Sequence, residues 1–293
     1  MKLVSCSTKS GQDIVGVLQD ERVLNLHRLV SQQLGARFTM VDLLQWLGEK
    51  AQHLRELQAL VASANTSAFL PLAQLQLEAP VKRPGKIVAV GRNYADHAKE
   101  TGVKPFEKPR IISKFGSSVS GPGSLTVRPE GIVKLDFEVE LAVVMGRSAK
   151  RVRRENALDF VAGYTILNDV SARELQFDIN PAQTTFAKSM DGFCPMGPYL
   201  LTADELPDPQ DLELNLWLNG ELMQHGHTRD MLFPVDYLIE YVSQYVTLEP
   251  GDVLATGTPA GIGAFRTPPL WLKPGDQLQL AITHLGTLAH RIA

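Results

Sequence analysis

Leu135-Asp136-Phe137-Glu138-Val139-Glu140-Leu141-Ala142-Val143-Val144 begins as an alternation of acidic and apolar residues and ends as an unbroken apolar run. On a strand, residues two apart share a face, so Asp136, Glu138 and Glu140 point one way and Phe137, Val139 and Leu141 the other. Beyond Glu140 both faces are apolar, the pattern of a strand entering a core. Carboxylates crowded at the mouth of a buried strand repel one another, and a hard divalent cation would neutralise them. The competing reading is a sheet-edge strand with its acidic face in water. Strand geometry alone does not choose which of the three carboxylates would be ligands.

A fourth carboxylate favours the cation. Tyr164-Thr165-Ile166-Leu167 is another apolar strand, and it ends at Asn168-Asp169. A carboxylate in the loop at a strand end is a usual place for a site residue. Oxygen donors with no His or Cys beside them suit Mg²⁺, Mn²⁺ or Ca²⁺ better than Zn²⁺, and Mg²⁺ keeps positions open for water and substrate.

The segments around these two strands set the fold class. Residues 87–90 form a short buried strand ending at Gly91. Residues 212–218 and 221–223, joined by Asn219-Gly220, read as a hairpin with a favoured turn dipeptide. Pro234 opens a helix with Leu238, Tyr241, Val242 and Tyr245 on one face. Strands return at 253–255, 277–282 and 288–292, two of them after the turn signals Pro250-Gly251-Asp252 and Pro274-Gly275-Asp276. Residues 2–26 read as a meander. Thr39 followed by Asp42 is close to a capping box, and helical patterning runs to about residue 62. The pattern then lapses, with Pro71, Pro80 and Pro84. These signals predict a small N-terminal α+β domain over 1–80 and a larger domain over 81–293. Strands outnumber helices without a βαβ rhythm, so the expected class is α+β, a mixed β-sandwich or roll.

Composition excludes several function classes. The chain has 293 residues, enough to bury a core without staples. A net charge of -3 supports neither nucleic acid nor an anionic membrane as partner. No apolar run reaches the roughly 18–20 residues that span a bilayer. Two cysteines, Cys6 and Cys194, do not make a disulfide framework and fit a reducing compartment. A cytoplasmic protein is expected, or one from which an organelle presequence has been removed.

Further candidates lie outside the acidic strand. In Gly91-Arg92-Asn93-Tyr94-Ala95-Asp96-His97-Ala98-Lys99-Glu100, His97 and Glu100 stand at i and i+3 if the segment is helical. A carboxylate beside an imidazole orients it and raises its basicity, which suits a general base; an ordinary surface helix is the plainer reading. Lys188, between apolar residues and before a Gly and Pro turn, is either a substrate-carboxylate ligand or a snorkelling strand lysine. Cys194 has no partner that would make it a nucleophile and reads as structural. Gly257-Thr258-Pro259-Ala260-Gly261-Ile262-Gly263 lacks the ending of a phosphate loop, and its exposed hydroxyl, Thr258, is a substrate-contact candidate. The basic run Arg147, Lys150, Arg151, Arg153 and Arg154 has no interleaved aromatics and reads as a solvated loop.

Taken in order, Asp136-Phe137-Glu138-Val139-Glu140-Leu141, Asn168-Asp169-Val170-Ser171-Ala172-Arg173, Lys188 before Asp191-Gly192-Phe193-Cys194-Pro195, and Pro250-Gly251-Asp252-Val253-Leu254-Ala255-Thr256-Gly257-Thr258-Pro259 resemble the fumarylacetoacetate hydrolase family over about residues 85–293. Ser113-Lys114-Phe115, Gly121-Pro122 and Phe265-Arg266-Thr267-Pro268-Pro269 are most similar to its branch linked to oxaloacetate tautomerisation. The resemblance implies a β-sandwich roll with a smaller N-terminal domain, usually a homodimer. It implies Mg²⁺ or Mn²⁺, with Ca²⁺ an option in crystals, at the positions matching Glu138, Glu140 and Asp169, with Asp136 left out. It implies a His–Glu dyad on a lid segment at His97 and Glu100, and substrate contacts at Arg92, Gln176, Lys188 and Thr258.

The family's substrates are small 2-oxo or 2,4-dioxo acids, whose enolate the metal stabilises. The expected activity is hydrolysis of a C–C bond in a 2,4-dioxo acid of the acylpyruvate type. Alternatives are oxaloacetate decarboxylation, keto–enol tautomerisation, or a catalytically silent relative that only binds metal and ligand. Ile112 in place of an aromatic and Glu174 in place of aspartate bear on substrate choice more than on metal binding.

Overall fold

The apolar run quoted above becomes a central strand. In the computed structural model, which describes residues 1–100, 102 and 104–293, Val139–Met145 lies between Val161–Asn168 and Val253–Ala255, antiparallel to both. Every residue in it is buried. The reason lies in its two faces. Leu141, Val143 and Met145 enter one apolar core, and Ala142 and Val144 enter a second.

The first core is the interior of a sandwich. The large sheet continues from Val253–Ala255 to Ile87–Gly91 and the edge strand Arg110–Lys114 on one side. On the other side it runs through Cys194–Thr202 to Lys2–Thr8, Asp13–Gln19, Arg22–Asn25 and Phe69–Pro71. Residues on both sides of position 80 therefore share one sheet. Facing it is a five-stranded sheet in the order Glu221–His227, Glu213–Leu218, Gln277–Ile282, Gly286–Ile292, Leu125–Thr126. Its strands alternate, placing Leu214, Leu216, Leu280 and Leu288 against Leu141, Val143 and Tyr164. Such alternation is what a sheet with one wet face requires. The Asn219-Gly220 turn has φ of 52° and 85°, the left-handed pair that a two-residue hairpin loop needs.

The second core lies under two helices, Met40–Glu49 and Ala51–Ser63, whose Leu43, Leu44, Trp46 and Leu57 cover Ala142, Val144 and Val253. Thr39 and Asp42 form the expected capping box: the Thr39 hydroxyl accepts the Asp42 N–H at 3.3 Å and Asp42 accepts the Thr39 N–H at 2.7 Å. Such a cap stabilises a helix by about 1 kcal/mol. No helix among the described residues is long and apolar enough to cross a membrane.

Two local expectations change. The acidic strand is not continuous. Leu135–Asp136 pairs with Ser171–Ala172 as a separate two-stranded ladder, and the large sheet takes up the chain at Val139. Side chains claim the amides between: the Phe137 N–H goes to Asp136 Oδ1 at 2.9 Å, that of Glu138 to Asn168 Oδ1 at 2.9 Å, and that of Val139 to Gln224 Oε1 at 2.9 Å. In the helix Val235–Tyr245, the buried face is Val235, Leu238, Ile239 and Val242. Tyr245 is 71% exposed; it continues an outer aromatic row with Tyr237 and Tyr241.

Candidate active site

Antiparallel pairing assembles the acidic cluster. Val139 is registered against Asn168, so the residues flanking that pair, Glu138 and Glu140 on one strand and Asp169 past the end of the other, meet at one corner of the sheet. The Asp169 N–H also donates to the Glu138 carbonyl at 2.9 Å. One carboxylate oxygen from each of Glu138, Glu140 and Asp169 lies within 4.8 Å of the others, and all three residues are buried. Asp136 lies outside this cluster. It accepts Arg173 Nε at 2.8 Å and the N–H groups of Gly263 and Ala264 at 2.7 and 3.1 Å.

Three buried cations surround the carboxylates. Lys188 Nζ donates to Asp169 at 2.7 Å, to Glu138 at 3.0 Å and to the Ser171 hydroxyl at 2.8 Å. Lys114 Nζ donates to the other Asp169 oxygen at 2.6 Å and to the carbonyls of Lys188 and Phe193. Arg173 bridges Asp136 and Glu138. Among the described residues four carboxylates thus face three cations, and Glu140 is the one without a cationic contact; its partner is the Gly257 N–H at 2.8 Å. Protonation follows this division. Burial pushes Glu138 upward, but Lys188 and Arg173 outweigh it and hold the carboxyl far below the usual range. Burial raises Glu140 well above that range, and the charges of Asp169 and Glu138 raise it further. Burial would lower Lys188, but Asp169 and Glu138 reverse the sign and keep it charged.

The segment Ala95–Glu100 is helical, and His97 and Glu100 meet: Nδ1–H donates to Glu100 Oε2 at 3.0 Å. The tautomer follows from the acceptor being a carboxylate. The other Glu100 oxygen accepts the Gly261 N–H at 3.0 Å, and Asp96 accepts the Ala260 N–H at 3.3 Å. This short helix is thereby tied to the loop after Val253–Ala255. The Nε2 of His97 has no hydrogen-bond partner among the described residues.

His97, the three carboxylates, Lys188, Arg92, Gln176 and Thr258 all line one cleft. Glu100 acts behind His97 and does not line it. Two environments differ from expectation. Lys188 is not on a strand but caps the helical turn Thr184–Ala187, and its ammonium is held by the acidic cluster. The Thr258 hydroxyl is buried, donating to the Val139 carbonyl at 2.8 Å and accepting Gln224 Nε2 at 2.8 Å. Gln176 accepts Arg173 through Oε1 at 2.6 Å, leaving its amide N–H groups without an acceptor among the described residues. Cys194 is fully buried, and that burial pushes its thiol up to about 12, as a structural cysteine requires.

Several site residues have little signal in the sequence. Lys114 and Arg173 are nearly inaccessible cations whose neighbours come from distant segments. Arg110 lines the cleft. His290, on the last strand, accepts Asn168 Nδ2 at its Nε2 at 2.8 Å and lies 3.2 Å from Thr126 Oγ1, so it stands behind the amide that positions Glu138. Only Arg110, Ile112 and Lys114 carry a pattern, the alternation of a strand with one face toward a site.

Residues 86–293 match the family described as fumarylacetoacetate (FAA) hydrolase C-terminal. The human mitochondrial oxaloacetate tautomerase FAHD2A is 46% identical over 223 residues, 76% of this chain and 71% of the relative. Among solved structures, fumarylacetoacetate hydrolase from the psychrophilic Exiguobacterium antarcticum is 34% identical with a TM-score of 0.83, over 100% of this chain and 99% of that one. Maleylpyruvate hydrolase from Sphingobium sp. SYK-6, solved in complex with manganese(II) and pyruvate, is 31% identical with a TM-score of 0.80 over the same shares.

Proposed function

Since this chain belongs to the fumarylacetoacetate hydrolase family, we propose that it is a divalent-metal-dependent enzyme moving a proton at C3 of a small 2-oxo acid, oxaloacetate first. One observation carries the reading: the His97 imidazole, fixed by Glu100, leaves Nε2 unpartnered in the cleft that Glu138, Glu140 and Asp169 line.

The donor set fits a hard divalent cation. Three buried carboxylates offer oxygens only, and Glu140 lacks a counter-charge. Each carboxylate oxygen has two lone pairs, so a lysine contact and a cation can share one. Glu138, Glu140 and Asp169 would hold Mg²⁺, or Mn²⁺, the ion in the maleylpyruvate hydrolase complex. A cation bound there polarises the 2-oxo and carboxylate oxygens of a substrate and so favours the charge that develops as C3 is deprotonated. With all four carboxylates ionised beside the three side-chain cations, a bound divalent cation would leave the cluster with an excess of one positive charge, which suits an anionic substrate.

The chain's own residues supply the rest. His97 Nε2 removes the C3 proton as the C2=C3 bond forms, and Glu100 stabilises the imidazolium. The imidazolium then returns the proton to the 2-oxygen, giving the enol. Gln176 offers free amide donors and Arg92 a guanidinium to the substrate's oxygens. Lys188 and Arg173 hold the carboxylates in register.

Hydrolysis of a 2,4-dioxo acid is the second reading, favoured by two solved hydrolases that align with the whole of this chain. In that case His97 activates a water toward C4. The test is incubation with Mg²⁺ and either oxaloacetate or acetylpyruvate. Accelerated decay of enol absorbance without CO₂ or pyruvate supports tautomerisation. Pyruvate from acetylpyruvate supports hydrolysis, and CO₂ from oxaloacetate supports decarboxylation. No turnover of any 2-oxo acid would sink the enzyme reading and leave a silent binder. For location the reading is the cytoplasm, with an organelle the alternative that the mitochondrial relative supports, and a homodimer is the assembly to look for in solution.

A further inference from the structure

Arg110 stands opposite Gly91 in the pairing of Arg110–Lys114 with Ile87–Gly91. Arg110, Ile112 and Lys114 share a face. Lys114 ends on Asp169, Ile112 and Arg110 line the cleft, and at ~3.3 Å per residue the Arg110 and Lys114 backbones are ~13 Å apart. Gly91 has no side chain, and a Cβ there would meet Ile112 Cδ1 at 3.0 Å and Arg110 Cδ at 3.6 Å. The Arg110 stem therefore lies over Gly91, beside the next residue, Arg92. Arg92 has a left-handed backbone with φ of 59°, and its guanidinium sits 5.7 Å from the Phe106 ring centre. Burial and the charge of Arg110 both lower the pKa of Arg92, so the two guanidinium groups feel each other.

The contrast with the rest of the cleft is one of pairing. Lys114, Arg173 and Lys188 are all spent on carboxylates. Arg92 and Arg110 have no carboxylate or hydrogen-bond acceptor among the described residues. Two adjacent cations without a counter-charge attract an anion from outside. Arg110 is at the opposite end of its strand from Lys114, whose ammonium is on Asp169, and both arginines share the cleft lining with Ile112, Phe177 and Phe265. A short carbon chain fits such a lining, and a charge fits its end.

We propose that Arg110 is a specificity-determining residue: with Arg92 it binds a second carboxylate at the far end of the 2-oxo acid, so that dicarboxylic substrates are preferred over monocarboxylic ones. This rests on the 2-oxo acid reading above.

The test uses the full chain with Mg²⁺ and two ligands of equal carbon count, 2-oxoglutarate and 2-oxopentanoate, which differ in the distal carboxylate. Calorimetric dissociation constants are measured for the wild type, Arg110→Ala and Arg110→Lys. The wild type should prefer 2-oxoglutarate. Arg110→Ala should reduce that preference roughly 10- to 100-fold, the range for a charged hydrogen bond, and Arg110→Lys should restore part of it. The ratio of kcat/KM for oxaloacetate over 2-oxobutyrate enolisation should move the same way. Equal weakening of both ligands in Arg110→Ala, or no wild-type preference, overturns the assignment while leaving the 2-oxo acid reading intact. Absence of binding by either ligand overturns both. If the alanine variant does not fold, Arg110→Gln, which keeps the stem and loses the charge, must show the same collapse of preference.

Discussion

Asp136 and Arg173 form a buried ion pair at 2.8 Å, and the same guanidinium reaches Glu138 at 2.6 Å. Burial would lower the Arg173 pKa, but Asp136 and then Glu138 raise it above its ordinary value. The pair thus couples a carboxylate outside the acidic cluster to one inside it. Removing one member of a buried pair leaves the other uncompensated and costs about 3–5 kcal/mol. Asp136→Asn should lower unfolding stability by that order in a denaturant titration, and Mg²⁺ should stabilise the variant less than the wild type. An unchanged midpoint would show that Arg173 finds its charge balance elsewhere.

Glu140 lacks a cationic partner and is pushed upward by burial and by Asp169 and Glu138. Glu140→Gln should therefore give opposite signs in two measurements. Without metal it should be as stable as the wild type or more so, because burial and the neighbouring carboxylates disfavour an ionised side chain there and a neutral amide avoids that cost. With Mg²⁺ it should lose the stabilisation of the native state, which mass action sets at about 2.7 kcal/mol at a hundredfold excess over Kd. Thermal unfolding with and without Mg²⁺ reads both. A variant that is stable and still responds fully to Mg²⁺ would remove Glu140 from the ligand set.

The difference between these two acids marks what the sequence could reveal. The alternation through Asp136, Glu138 and Glu140 and the strand-end position of Asp169 were both readable, and the family resemblance separated Asp136 from the others. The strand break at Phe137 and Glu138 was not readable, because it depends on acceptors from Asn168 and Gln224. The hairpin at Asn219-Gly220 and the cap at Thr39 were legible because turn and cap chemistry is local. Lys114 and Arg173 lay within the motifs that carry the resemblance, but their burial on carboxylates was not legible, because those partners come from segments far along the chain. The texture change near residue 80 was visible, but the pairing of Lys2–Thr8 with Cys194–Thr202 across it was not, since strand pairing over that separation leaves no local mark.

His97 and Glu100 test the chemistry apart from the metal. A positioned general base contributes about 10²–10⁴-fold, so His97→Ala should lose turnover by that order while Mg²⁺ still stabilises the variant. Glu100→Gln keeps a hydrogen bond to Nδ1 but removes the charge that favours the imidazolium. Its loss of turnover should be smaller than that of His97→Ala, because the imidazole stays oriented and only the charge that stabilises the imidazolium is gone. Loss of Mg²⁺ stabilisation in His97→Ala would mean that the imidazole belongs to the metal site.

His290 predicts the acid sensitivity of the fold. Burial lowers its pKa from 6.5 to about 4. Its Nε2 must stay unprotonated to accept Asn168 Nδ2, whose partner atom Oδ1 holds the Glu138 amide. The native state therefore binds this proton more weakly than the unfolded chain. Stability from the site is fully present above about pH 6.5, declines as pH falls, and is gone below about pH 4, a loss of about 3 kcal/mol. Denaturant titrations from pH 7.5 to 4.5 should show this decline. His290→Gln offers an acceptor for Asn168 that does not titrate in this range, so its stability should fall less over the same interval. Parallel curves for the two proteins would place the acid sensitivity on another group.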